Sequence, residues 1–252
     1  MTQVVWRALR LCGGIAVFVL IWELVVRAFA LPPFMLPSPF SVYAAFVDQW
    51  AFLMKHAAIT AGETVLGFLF GVGAGVLLAL MMSASDLMRR LMLPPITATQ
   101  SLPVFAIAPL LVLWFGFGLA SKVVMAVIVI FFSVTSTFHD GLRRTDPAFL
   151  DLAHLYRLNR WQRLRFIRIP AALPALASGI RIAAVFAPIG AVVGEWVGAK
   201  GGLAFIMLQS NARMQTDTMF AALILLAIMV LLLRALVEMA VVRLIPWQQE
   251  KT

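Results

Sequence analysis

Cysteine is almost missing from this sequence of 252 residues: Cys12 stands alone, which excludes an internal disulfide. Histidine is scarce too, and His56, His139 and His154 lie so far apart that no Cys/His cluster has the spacing of a metal site. The chain has no G-x-x-x-x-G-K-S/T loop to cradle phosphates, so it is not expected to bind ATP itself. An H-E-x-x-H pair is lacking, and so is any Ser/His/Asp or Cys/His constellation at a familiar spacing, which argues against an embedded protease or hydrolase. Acidic residues are few, 11 against 20 Lys and Arg, for a net charge of +9. Such an excess suits nucleic acid when it covers a polar face. Here the basic residues sit in short loops beside apolar runs, so they read as signals of membrane topology, and no nucleic acid partner is expected.

What is abundant is apolar. With 63% hydrophobic residues, 12% charged residues and a mean hydropathy of +0.99, the chain reads as an all-α, polytopic membrane protein whose first partner is the lipid bilayer. About six spans are expected, over 11–31, 57–83, 95–115, 123–138, 171–197 and 219–240, within one domain covering 1–252. The first begins after Arg7 and Arg10 and ends in Ala28-Phe29-Ala30, the outline of a cleaved leader. Its length and the needs of the remaining topology favour a retained span, inside which Glu23 and Arg27 can pair at i, i+4. Leu31-Pro32-Pro33 and Leu36-Pro37-Ser38-Pro39 then predict an extended segment, because each residue before a proline is pushed out of helical geometry.

The second span carries Gly67, Gly71 and Gly75 four residues apart, a small-xxx-small pattern that predicts close helix contact. It also carries Glu63, a costly intramembrane acid expected to snorkel or to pair with another helix. The third span is unusually polar and broken, with Thr97, Thr99, Gln100, Ser101, Pro103 and Pro109, which makes it a candidate lining of a translocation path. In the last two, Glu195 closes a glycine-rich run, and Arg234 and Glu238 are spaced to pair at i, i+4. Leu203–Leu208 is expected to form a short helix lying at the membrane surface. Thirteen basic residues then fall on one side, five (Arg27, Lys55, Lys122, Lys200, Arg213) on the other and two (Arg181, Arg234) within spans, which puts both termini and the loop 140–170 in the cytoplasm.

That loop is the one long basic polar segment. Asp146 can cap a helix starting at Pro147, and Phe149, Leu150, Leu152, Ala153, Leu155 and Tyr156 give it an apolar face. Four arginines then alternate with apolar residues up to Pro170. Counted back from Pro170, the loop resembles the docking segment of the permeases of binding-protein-dependent bacterial ABC importers. The pattern there is Glu-Ala-Ala, three residues, Gly, nine residues, Ile, one residue and Leu-Pro. Asp151, Leu152 and Ala153 stand at the first three places, Arg157 at the glycine, and Ile167, Ile169 and Pro170 at the end. The strings LPALASGIRIA and GAVVGEW continue the likeness beyond the loop, so that it covers about Leu36 to Ile245.

The resemblance implies a type I ABC importer permease fold with a cytoplasmic coupling helix. Asp151, Leu152, Ala153, Leu155, Arg157, Ile167 and Pro170 are then the residues expected to couple to an ATPase. It also implies a pair of ATPase subunits carrying ATP and Mg, an external solute-binding protein, and a second permease copy, expected to make a homodimer, in the bacterial inner membrane. PVFAIAPLLVLWFGFG, FFSVTSTFHDGLRR, APIGAVVGEWVG and SNARMQTDTMFAAL resemble, within the nitrate, sulfonate and taurine group, the branch associated with thiamine-precursor pyrimidines. For a planar, nearly neutral solute of that kind, Gln100, Ser101, Phe105, Trp114, Phe115, Glu195 and Trp196 are the candidate path lining. A sulfonate, taurine or nitrate importer is the alternative. An ion-coupled carrier is a further one, though it would call for paired repeats and more intramembrane acids than Glu63 and Glu195.

Overall fold

The computed structural model describes residues 2–101 and 103–245, and the side chains of these except at 2–5, 7–9, 11, 12, 100 and 101. Among the described residues every regular element is helical. The chain divides into two compact units, Met1–Ala58 with Gly201–Leu226 and Ile59–Lys200 with Ala227–Thr252.

The first unit contains α1 (Thr2–Ala28), α2 (Pro39–Asp48), the start of α3 (Trp50–Ala84), α10 (Leu203–Ala212) and the start of α11 (Thr216–Leu244). In α1, Arg27 Nε donates to Glu23 at 2.5 Å, the expected i, i+4 pair. The segment expected to be extended is instead a turn followed by a helix: the Met35 and Leu36 N–H groups reach Pro32 O at 2.9 and 3.2 Å, and Ser38 and Pro39 begin α2. Ser38 Oγ accepts from the Ser41 N–H at 3.1 Å, and proline fits the first turn, where an N–H has no intrahelical partner. The surface helix expected near Leu203 is also corrected. Leu203 and Ile206 are fully buried with Val42, Leu53, Ala222 and Leu225, since α10 is apolar on more than one side and has no polar face to offer water. His56 Nδ1 accepts from the Gly202 N–H at 3.0 Å and Gln49 Nε2 donates to Thr218 Oγ1 at 2.9 Å, satisfying polar groups beside that core.

The second unit holds the rest of α3, then α4 (Asp86–Ser101), α5 (Val104–Phe115), α6 (Leu119–Arg143), α7 (Pro147–Leu155), α8 (Arg160–Arg163), α9 (Ile169–Gly198) and the rest of α11. Side chains at Gly67, Gly71 and Gly75 would strike Ala126, Ile130 and Val134, so α3 and α6 run parallel with their backbones in close approach, as the glycine repeat predicts. Along α9 the order is reversed: Gly194 faces Lys122, Gly190 faces Ala126 and Gly179 faces Thr137, so α9 is antiparallel to α6. At Gly190 a Cβ would collide with the main chain of Ala126, which cannot swing aside. Gly190→Val is therefore expected to destabilise the purified protein by about 3 kcal/mol or more, lowering its thermal midpoint, while Val193→Ala, close by, costs less.

Two parallel helices in a membrane require the chain to return between them, and only 86–115 is available for the return. Four helices of described residues are long and apolar enough to cross, over Trp50–Ala84, Leu119–Arg143, Arg160–Gly198 and Thr216–Leu244, and the number is five when the bent pair α4 and α5 is counted as one span. The third span, read over 95–115 as polar and broken, is interrupted in the structure. Its axis turns by 104° between Thr99 and Val104, just before Pro103 serves as the N-cap of α5. The predicted first span, 11–31, lies partly outside the described side chains.

Candidate functional site

The basic loop is built from its caps. Asp146 Oδ1 accepts from the Ala148 N–H at 2.9 Å and Pro147 opens α7, as the residues predict. At the other end the Leu158 N–H reaches Ala153 O at 2.9 Å and the Arg157 N–H reaches His154 O at 3.0 Å. These are the two bonds of a Schellman termination, whose extra-helical residue must be left-handed. That residue is Arg157, with φ of +51°, at the place where the resembled pattern has glycine. The glycine has a physical reason, and arginine pays a conformational penalty of about 1 kcal/mol there. Arg157→Gly is expected to slow amide exchange across 147–158 about fivefold in the purified protein; faster exchange would contradict the assignment.

Asn159, a poor residue inside a helix, caps the next one. Its Oδ1 accepts from the Gln162 N–H at 2.8 Å, and Gln162 Oε1 accepts from the Asn159 N–H at 2.9 Å, a reciprocal capping box. A π-helical turn, Leu164–Arg168, then joins α8 to α9 and contains Ile167, while Pro170 sits in the first turn of α9. Of the residues expected to couple, Ala153 is buried against the chain's own body. Asp151, Leu152, Leu155 and Arg157 are exposed, and Leu155 is 79% exposed. Phe149 and Tyr156 are exposed beside them, so α7 shows an apolar face that the chain itself does not cover.

At the far end of α3, α6 and α9 from this loop lies a second cluster. Glu63 Oε1 is 3.0 Å from Lys122 Nζ, and both side chains are buried. Glu195, also buried, accepts from Thr60 Oγ1 at 2.5 Å and lies close enough to act electrostatically on Glu63. Gly194 gives the Lys122 stem its room. The sequence placed Lys122 in an exterior turn, but it is the fourth residue of α6 and points at the acid of α3, since an ammonium at that depth finds a carboxylate more readily than water. The glycine before Glu195 was the available signal. Further along α9, Arg181 Nε and Nη2 hold Glu238 of α11 in a fork at 2.8 and 2.9 Å, so Glu238 is bonded to Arg181 and not, as its spacing suggested, to Arg234.

Among the candidate lining residues, Phe105 and Trp196 meet with ring centroids 5.9 Å apart. Trp114 and Phe115 are exposed on α5, and Glu195 belongs to the buried cluster. The side chains of Gln100 and Ser101 lie outside the described residues.

The chain is similar to proteins whose names point one way. A "probable ABC transporter permease protein" of Haemophilus influenzae is 48% identical over 212 residues, 84% of this chain and 86% of the relative. The formylaminopyrimidine transport permease protein ThiX of Halalkalibacterium halodurans is 32% identical over 234 residues, 92% of each chain. The fold matches a chain of an amino acid ABC transporter crystallised with histidines, at a TM-score of 0.66 and 18% identity, over 79% of this chain and 97% of that one. The family model described as the binding-protein-dependent transport system inner membrane component matches residues 71–249. The resemblance read from Asp151 to Pro170 and the glycine-rich α9 thus extends over most of the molecule, and the chain belongs to that family, as a multi-pass inner-membrane permease subunit of an ABC importer.

Proposed function

We propose that this permease imports a thiamine-precursor pyrimidine of the hydroxymethylpyrimidine type. The observation that supports this most is the 32% identity to a formylaminopyrimidine permease, spread over 92% of both chains. Phe105 and Trp196, paired at 5.9 Å and each about half exposed, suit passage of a planar, nearly neutral ring. Lys122 is paired with Glu63, so that cluster offers a sulfonate no free positive charge. In this reading Gln100, Ser101, Trp114 and Phe115 line the path as well.

Two copies enclose the path about a twofold axis, in keeping with the prevalence of C2 homo-oligomers. Both termini and the loop 140–170 face the cytoplasm, where two ATPase subunits holding ATP and Mg dock on α7. A binding protein delivers the solute on the other side. ABC importer permeases work with an ATPase and a binding protein in general, and the exposed apolar face of α7 supports the docking role. Calorimetric titration of the cognate binding protein with hydroxymethylpyrimidine, formylaminopyrimidine, taurine and an alkanesulfonate tests the substrate. Tight binding of a pyrimidine is expected, and tight binding of a sulfonate with no response to any pyrimidine would overturn it. Native mass spectrometry of the purified complex is expected to find two copies of this chain; a different second permease would contradict the symmetric pair.

A further inference from the structure

The second unit contains a cavity of about 580 Å³ where the basic loop meets the ends of α3 and α6. Five arginines line it, Arg89, Arg143, Arg160, Arg163 and Arg168, against one carboxylate, Asp86. Asp86 is engaged by Arg89 at 3.3 Å, and Arg168 Nε is turned to Leu142 O at 3.0 Å. Internal pairing therefore leaves the wall strongly positive. Like charges held this close raise the free energy of the fold unless an anion joins them.

A second observation agrees. Among the described residues six buried side-chain atoms have no hydrogen-bond partner, and three of them, Ser83 Oγ, His139 Nδ1 and Arg163 Nε, belong to residues of this wall. Buried polar groups are normally satisfied, so their concentration in one place marks a ligand position. A hydroxyl and an Arg Nε–H can donate to an anion. The local backbone is also specific: the Asn159 capping box and the π-helical turn Leu164–Arg168 fix how Arg163 and Arg168 are aimed. The volume lies within the range of small-ligand sites.

We propose that this cavity binds a phosphate group, as a monoester or diester, through the arginine forks and the Ser83 hydroxyl. Guanidinium matches phosphate geometry in a bidentate way, and several convergent forks favour a doubly coordinated oxyanion over a carboxylate of similar charge. The phosphate can come from an anionic phospholipid, whose headgroup lies at the level where membrane-crossing helices end, or from a free phosphate compound. The inference does not depend on the substrate reading.

The test uses the intact importer, freed of lipid in a neutral detergent, as wild type and as R143Q/R160Q; both arginines are solvent-exposed, so the variant should fold. Native mass spectrometry with phosphatidylglycerol and phosphatidylcholine reads the lipid, and thermal shift with inorganic phosphate reads the free anion. At least tenfold preferential retention of phosphatidylglycerol by the wild type, falling below threefold in the variant, supports a lipid occupant. A phosphate-dependent rise in melting temperature that the variant loses, without lipid preference, supports a free one. If neither probe distinguishes the two proteins, the proposal is overturned, and it is equally overturned if only ATPase association falls in the variant, because the arginines then serve subunit docking. Should R143Q/R160Q not assemble, R160Q alone is read by the same criteria.

Discussion

Replacing Leu155 with aspartate is expected to abolish ATP-driven uptake while the chain still inserts and folds. Leu155 closes α7, is 79% exposed and touches little of its own chain, so the change costs the isolated permease almost nothing. In the assembled importer the same position is expected to lie in a groove of the ATPase, together with Phe149, Leu152 and Tyr156. A carboxylate forced into that groove loses its water without gaining a partner, and central apolar anchors of interfaces contribute about 2 kcal/mol or more, on the order of a 30-fold loss of affinity. Leu155→Ala, which only shortens the anchor, should lie in between. Pull-down of the ATPase and its stimulation by loaded binding protein are the measurements. Normal stimulation in Leu155→Asp would remove α7 from the coupling role, and poor expression of the variant would show that Leu155 is packed in a way its exposure denies.

The second large effect lies at the other end of the same helices. Lys122→Met is expected to destabilise the permease by about 3–5 kcal/mol, because it leaves Glu63, buried on α3, with no counter-charge and beside a second buried acid, Glu195. The ion pair itself is not the source of so large a figure. Removing both partners together, in Lys122→Met/Glu63→Met, replaces two buried charges by apolar stems of similar length and is expected to recover most of the loss. The double-mutant cycle in denaturant unfolding of the purified protein therefore separates a net stabilising pair from a pair that is merely costly to break. If Lys122→Met unfolds within about 0.5 kcal/mol of the wild type, the cluster does not hold α3 to α6, and its place in the fold must be explained otherwise.

These two sites differ in how far the residues announce them. The loop could be read almost whole, since Asp146-Pro147 and the position of Arg157 relative to Pro170 are local signals with local causes: a cap, a proline at a tolerated place and a left-handed termination. The α3–α6 seam was also legible, because glycines every four residues have one common use in a membrane. The charge cluster was not. Glu63 and Glu195 stand out as acids in apolar runs, but Lys122 looks like a turn residue beside Gly116-Phe117-Gly118, and only the parallel packing of α3 on α6 brings it to Glu63. Arg181 found Glu238, 57 residues away, for the same reason: a partner on the same helix is visible in the spacing, whereas one on another helix is set by packing. The bend between α4 and α5 was readable as a broken span from its prolines and hydroxyls, without its direction. α10 was misplaced because a short apolar helix looks alike whether it faces lipid headgroups or a protein core.

The most direct measurement of the central claim is uptake into liposomes that contain this chain with its ATPase subunits, the loaded binding protein outside and ATP inside. The importer reading predicts accumulation that needs both ATP and the binding protein and that disappears in Leu155→Asp, with no response to an imposed proton or sodium gradient. Uptake that persists without ATP and follows an ion gradient would contradict it.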